Sequence, residues 1–258
     1  AETCSHAGMG TSFSVAQAIY QAINDSVDII NMSFGMYSND PTISQAVADA
    51  YQQGIAMVAS AGNDSTDSPA YPAALSEVLA VSAIDSAEYV AGFSNFGSHV
   101  DISGPGVDVY SALAGEYEWG TWSGTSFSAA TASGISALSL DADTLLTVSG
   151  LYERLRQTAR TDLTWGTVTP PDQYYGYGVV DAWAAVTYQG GGSASSAAVT
   201  VTDVTFIVAY LFNGGPAPYP LEAGNIDGIV GPGGPVDVAD LAYLITYLFK
   251  SEATPVIE

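Results

Sequence analysis

Basic residues are nearly absent from this chain. Lys and Arg together number four against 27 Asp and Glu in 258 residues, a formal net charge of −23. A nucleic-acid partner requires cations spaced along its phosphates, and Lys250, Arg154, Arg156 and Arg160 cannot form such a face. The same shortage argues against an anionic membrane as a partner. Cysteine is scarcer still: Cys4 stands alone, so no intrachain disulfide can form and cysteine usage says nothing firm about compartment. No apolar run reaches the roughly 20 residues of a membrane-spanning helix. No secretory leader is visible, and the chain opens at Ala1 without a methionine.

What is present describes a folded protein. Hydrophobic residues make up 48% of the chain, with sixteen Tyr and four Trp, which excludes a disordered polypeptide. The length accommodates one large domain or two smaller ones. The acidity suits calcium binding, solubility or a saline habitat, and composition does not choose among them.

The first 160 residues alternate between two periods. Ser14 to Asn24 places Val15, Ala18, Ile19, Ala22 and Ile23 on one helical face. Val27 to Met32 is nearly all apolar, as a strand covered on both faces is. Pro41 to Gln53 returns to the helical pattern, Gly54 stops it, and Ile55 to Ser60 and Val78 to Ile84 are further buried strands. Asp143 to Thr158 reads as another helix. Strand, helix and strand with short connections predict an α/β fold, a parallel sheet flanked by helices.

Three segments carry chemistry. Ile30-Asn31-Met32-Ser33-Phe34-Gly35 and Ala59-Ser60-Ala61-Gly62-Asn63 each follow an apolar strand, and Gly124-Thr125-Ser126-Phe127-Ser128-Ala129-Ala130 opens a small-residue apolar run to Leu140. A serine hydroxyl becomes a nucleophile only with a base to take its proton and donors to hold the resulting oxyanion. A helix start offers unpaired N–H groups and a positive dipole end, which help with the second requirement. Taken singly, GTS is also an ordinary helix cap and Gly-Asn-Asp-Ser an ordinary turn.

Together and in this order, the three segments resemble the subtilisin-like serine proteases. The tract from Tyr71, YPAALSEVLAVSAID followed by FSNFGSHVDISGPGVDVYSA, and the closing Tyr175-Gly176-Tyr177-Gly178-Val179-Val180-Asp181 extend the resemblance over residues 1 to about 188. It implies a serine endopeptidase, secreted, with Ser126 as nucleophile and Asn63 donating its side-chain N–H to the oxyanion. Ser33, Phe34 and Gly35 would pair with the substrate backbone as an added strand. Ala59, Ser60, Ala61 and Gly62 would line the specificity pocket, their small size leaning it toward apolar or aromatic side chains. Gly124 and Thr125 complete the substrate-facing set. Departures from the family pattern are Ala130 and Thr131, where proline and histidine are usual.

The acid and base of the family's triad are not found where they would be expected. Asp25, Asp64 and Asp85 are each followed by Ser but not by Gly, His6 lies too close to the INMSFG segment, and His99 occupies no position known as catalytic in this family. The resemblance therefore implies that the chain begins after both residues, as part of a longer enzyme. Without its base, the serine would lose roughly 10⁶ in turnover, about 8 kcal/mol of barrier.

Residues 189–198 are a Gly/Ser linker by composition. Beyond it, in 199–258, Asp203 to Phe212 and Asp240 to Phe249 form an internal repeat, each an apolar helix opened by Asp. The pair resembles a degenerate dockerin module, which implies calcium and a cohesin-like partner. Asn225, Asp227, Asp237 and Asp240 are the candidate calcium ligands, although Gly231-Pro232-Gly233-Gly234-Pro235 lengthens the loop. A two-helix hairpin with Asp as helix caps explains the repeat equally. A non-catalytic peptide-binding or dockerin-type anchoring protein is thus the alternative to an enzyme.

Overall fold

The computed structural model describes residues 10–112 and 119–188. Its centre is a four-stranded parallel sheet, β1 (Ile29–Met32), β2 (Ala56–Ser60), β3 (Leu79–Ile84) and β4 (Ile102–Pro105), paired in chain order. Met57 and Ala59 of β2 and Ala80 of β3 face one layer, while Ala56, Val58, Leu79 and Val81 face the other. That two-residue alternation within an all-apolar run is the mark of a sheet covered on both sides.

Helices α1 (Ser12–Asn24) and α2 (Pro41–Gln52) cover the first face, with Val15, Ile19, Ile43, Val47 and Ala50 packed on Met32 and Met57. The second face is covered by α3 (Thr125–Ala142), α4 (Val148–Gln157) and α5 (Ala182–Thr187). An antiparallel hairpin, β5 (Val109–Ala112) and β6 (Trp119–Trp122), leads into α3, and a two-residue pair, β7 (Asp162–Leu163) and β8 (Gly166–Thr167), follows α4.

The expected α/β architecture is present, with local differences that have physical causes. Helix α1 begins two residues earlier than its apolar period, because Thr11 and Ser14 form a reciprocal cap: the Ser14 N–H donates to Thr11 Oγ1 at 3.1 Å and the Thr11 N–H to Ser14 Oγ at 3.0 Å. Helix α4 starts at Val148, five residues later than predicted. Thr147 caps it, accepting from the Gly150 N–H at 3.1 Å, while Asp143 closes a separate turn and pairs with Arg154 at 2.5 Å. One helix crosses between strands, α2 between β1 and β2; the links from β2 to β3 and from β3 to β4 are loops. Among the described residues no helix is long and apolar enough to cross a membrane.

Candidate active site

Helix α3 meets the end of the sheet through small residues. The Ser128 side chain donates to the Gly104 carbonyl at 3.0 Å, and the Gly124 N–H donates to the Gly106 carbonyl at 2.8 Å. A Cβ added at Gly106 would stand 2.4 Å from Ser128 Oγ and 2.6 Å from the Ala83 side chain, so this approach needs glycine. The first turn of α3 is thereby fastened to the carboxyl ends of the strands, where open parallel sheets gather their ligands.

Ser126 sits in that first turn, partly exposed. It is clasped to Ser33: Ser33 Oγ donates to the Ser126 carbonyl at 2.9 Å, and Ser126 Oγ donates to the Ser33 carbonyl at 3.4 Å. The second contact exceeds the usual O–H···O range of roughly 2.5–3.0 Å, so the hydroxyl is held weakly.

Asn63 follows the end of β2 and faces the same turn. Its Oδ1 accepts from the Thr125 N–H at 2.9 Å and from Thr125 Oγ1 at 3.0 Å, while Thr125 Oγ1 accepts from the Gly62 N–H at 3.2 Å. A backbone N–H can only donate, so the amide atom against it is the oxygen. The Asn63 Nδ2 is left beside Gly124, 3.7 Å from where a Cβ there would stand.

The other candidate binding residues lie on the segments that follow β1 and close β2. Ser33 also accepts from Asn31 Nδ2 at 2.9 Å, Phe34 packs its ring on the first core layer, and Gly35 precedes a short antiparallel bridge between Met36 and Tyr71. Ala59 and Ser60 lie within β2 and are buried, and Ala61 is buried just beyond it. What these three can offer a ligand is backbone at the strand end rather than side chain. Gly62 has φ +107°, and its α-carbon is so close to Asn95 that an added Cβ would stand 2.2 Å from Asn95 Nδ2.

Among the described residues no histidine or carboxylate is hydrogen-bonded to Ser126 Oγ. His99 lies elsewhere, its ring against Gly97 and its Nε2 buried without a hydrogen-bond partner; burial pushes its pKa below the ordinary 6.5, and the nearby Asp101 charge opposes that shift. His6 lies outside the described residues, as do the 189–198 linker, the repeat and the candidate calcium ligands Asn225, Asp227, Asp237 and Asp240. No cluster of metal-ligating side chains occurs among the described residues.

The sequence does not reveal Asn95 and conveys only part of what Thr125 does. Thr125 stands among the substrate-facing candidates, and its hydroxyl also donates to the Asn63 amide oxygen. Asn95, in Phe93-Ser94-Asn95-Phe96-Gly97, is completely buried and bound to the loop that carries Asn63.

Residues 3–178 match the model of the subtilase family. The chain belongs to the subtilase family. Among its relatives, a thermostable alkaline protease of Halalkalibacterium halodurans is 38% identical over 178 residues, 69% of this chain and 47% of that protein. A thermophilic serine proteinase of Bacillus sp. strain AK1 is 35% identical over 186 residues, 70% of this chain and 43% of the relative. Halolysin of Haloferax mediterranei is 38% identical over 199 residues, 77% of this chain and 34% of the relative. The chain thus spans less than half the length of each of these three proteins. Among solved structures, the self-cleaved protease domain of PatA superposes with a TM-score of 0.62 at 31% identity, covering 71% of this chain and 70% of that one. The fold is therefore the subtilisin-like α/β fold in its described part.

Proposed function

We propose that this chain carries the nucleophile and an oxyanion donor of an extracellular serine endopeptidase. The observation behind this reading is the pairing of Ser126, at the start of α3, with an Asn63 amide whose oxygen is occupied by Thr125 and whose nitrogen is not. An amide held that way pays no reorganisation when charge develops next to it, which is the property of a preorganised oxyanion donor.

In this mechanism a substrate segment lies along Ser33, Phe34 and Gly35 as an added strand, with its side chain toward Ala61 and Gly62. Ser126 Oγ attacks the scissile carbonyl, its proton passes to a base, and the carbonyl oxygen, now negative, receives the Asn63 Nδ2–H. Collapse expels the amine, protonated by the same base, and water then hydrolyses the acyl-serine ester. The base and the carboxylate orienting it have to come from outside the described residues. The small Ala61 and Gly62 favour apolar or aromatic substrate side chains. Extracellular action is supported by relatives such as the minor extracellular protease Epr of Bacillus subtilis, 38% identical over 181 residues.

A fluorophosphonate reports this activity directly, since it phosphonylates only activated serines. Labelling of the full gene product that disappears in Ser126→Ala supports the peptidase. A folded protein that never labels overturns it and leaves a peptide-binding role, consistent with the lack of a base bonded to Ser126 Oγ among the described residues.

The calcium assignment to Asn225, Asp227, Asp237 and Asp240 rests on the sequence alone. Calcium titration calorimetry on the full chain should show binding that Asp240→Asn weakens; an equal heat from both proteins rejects the assignment.

A further inference from the structure

The Asn63 side chain is tied to Thr125, and its chain neighbours on both sides are bound by Asn95. The Asn95 N–H donates to the Gly62 carbonyl at 2.9 Å, and Asn95 Oδ1 accepts from the Asp64 N–H at 2.8 Å and the Thr66 N–H at 3.3 Å. Asn95 Nδ2 donates to Tyr37 Oη at 3.1 Å, and that hydroxyl in turn donates to the Asp64 carboxylate. Burial and this carboxylate raise the Tyr37 pKa, so the hydroxyl keeps its proton and remains the donor.

Asn95 is itself held on several sides. It is completely buried, and the adjacent Ser94 Oγ accepts from the Ala83 N–H of β3 at 3.1 Å and donates to the Asn95 carbonyl at 3.0 Å. The Asn95 amide thus fastens the loop that bears Asn63, beside the Ser65 N–H on the Phe93 carbonyl at 2.9 Å and the Gly62 N–H on Thr125 Oγ1 at 3.2 Å, and it alone of these also reaches Tyr37, two residues beyond the Ser33–Gly35 arm. Gly62 at φ +107° permits the contact, because any side chain there would occupy the place of Asn95 Nδ2.

Resting on the oxyanion role proposed for Asn63, we infer that Asn95 is a positioning residue for Asn63. It sets the Gly62–Asp64 backbone so that the Asn63 amide meets the developing oxyanion, and through Tyr37 it ties that loop to the arm along which substrate binds. Neither Asn95 nor Tyr37 touches the reacting atoms in this arrangement.

The test is a double-mutant cycle in the full gene product, with kcat normalised to serines titrated by fluorophosphonate. Asn95→Ser should lower kcat by about 10- to 100-fold, the scale of a misplaced catalytic geometry, with KM changed less than about twofold. Added to Asn63→Ala, it should cost less than about twofold more, since the donor it positions is already gone. The same fold-loss in both backgrounds, or an unchanged kcat, overturns the inference. Tyr37→Phe, at a half-exposed site, covers the case in which Asn95→Ser does not fold: a kcat loss of about threefold that vanishes with Asn63→Ala supports the inference, and a multiplicative loss rejects it. Should the wild type never label, the role of Ser126 fails first. Hydrogen exchange then reads Asn95 separately, because the Asp64 and Thr66 amides should exchange faster in Asn95→Ser, and unchanged rates overturn the inference.

Discussion

Asn63 and Thr125 are joined twice through a single atom, the Asn63 Oδ1, which accepts from the Thr125 N–H at 2.9 Å and from its hydroxyl at 3.0 Å. The bond to the backbone requires only that α3 start here. The hydroxyl is what completes the lock, and it also accepts from the Gly62 N–H at 3.2 Å.

Under the oxyanion role proposed for Asn63, removing the donor and loosening it should therefore differ. Asn63→Ala is expected to lower kcat by roughly 10²–10³ with KM little changed, the cost of losing one oxyanion donor. Thr125→Val keeps the shape, removes the hydroxyl and leaves the Gly62 N–H without that acceptor. Its kcat should fall less than that of Asn63→Ala, with a stability loss of about 1–3 kcal/mol for the unsatisfied buried group. Steady-state kinetics and urea titration of both variants in the full gene product check this; a Thr125→Val variant with wild-type kcat would show that the backbone bond alone orients the amide.

Three glycines should respond to alanine in opposite directions. At Gly106 the new methyl meets Ser128 Oγ at 2.4 Å and Ala83 at 2.6 Å, and at Gly62 it meets Asn95 Nδ2 at 2.2 Å with φ at +107°. Both substitutions should destabilise by about 1–3 kcal/mol or more through overpacking. Gly134 lies inside α3, exposed, with nothing within 4 Å of its would-be Cβ. Gly134→Ala should stabilise by about 0.4–1 kcal/mol, mostly by restricting the unfolded chain. Thermal or urea unfolding of the three variants gives the signs, and a destabilised Gly134→Ala would mean that α3 needs the freedom of glycine there.

The parts of the fold that could be read in advance are those where one period dominates. Helix α2 ends at Gln52 with Gly54 beyond it, and β2 and β3 begin one residue after the predicted apolar runs, because the run and the stop residue coincide. Strand β4 carries no strand signal of its own: Ile102-Ser103-Gly104-Pro105 contains turn residues, and it is a strand because β3 pairs with it from Val81 to Ile84. The segments around Ser126 and Asn63 could be placed by their resemblance to a family. Asn95 could not, since its role depends on contacts with residues 29 to 58 positions away. Long-range hydrogen bonds of a single buried amide leave no periodic trace.

His99 should give the described fold a stability change near neutral pH. Burial lowers its folded pKa below the ordinary 6.5, and Asp101 acts in the opposite sense. Between those two pKa values the unfolded chain binds more protons than the folded one, so stability rises with pH. Stability from this site is complete above about 6.5 and is lost as pH falls toward the folded pKa. Carboxylates with depressed values, such as Glu88 bonded by Arg160, act in the same sense but lower, as pH falls below the ordinary 4.5. Asp101 has the opposite sign, its pKa raised by burial above 3.8 despite the Ala80 N–H and Arg156, so its favourable contribution is confined to acid. In melting curves from pH 8 to 5, wild type should therefore lose stability below about 6.5 while His99→Gln should not. Taking the difference between the two proteins cancels any contribution from His6. Parallel curves would show that His99 titrates alike in the folded and unfolded chains and that its burial carries no net cost to the protonated form.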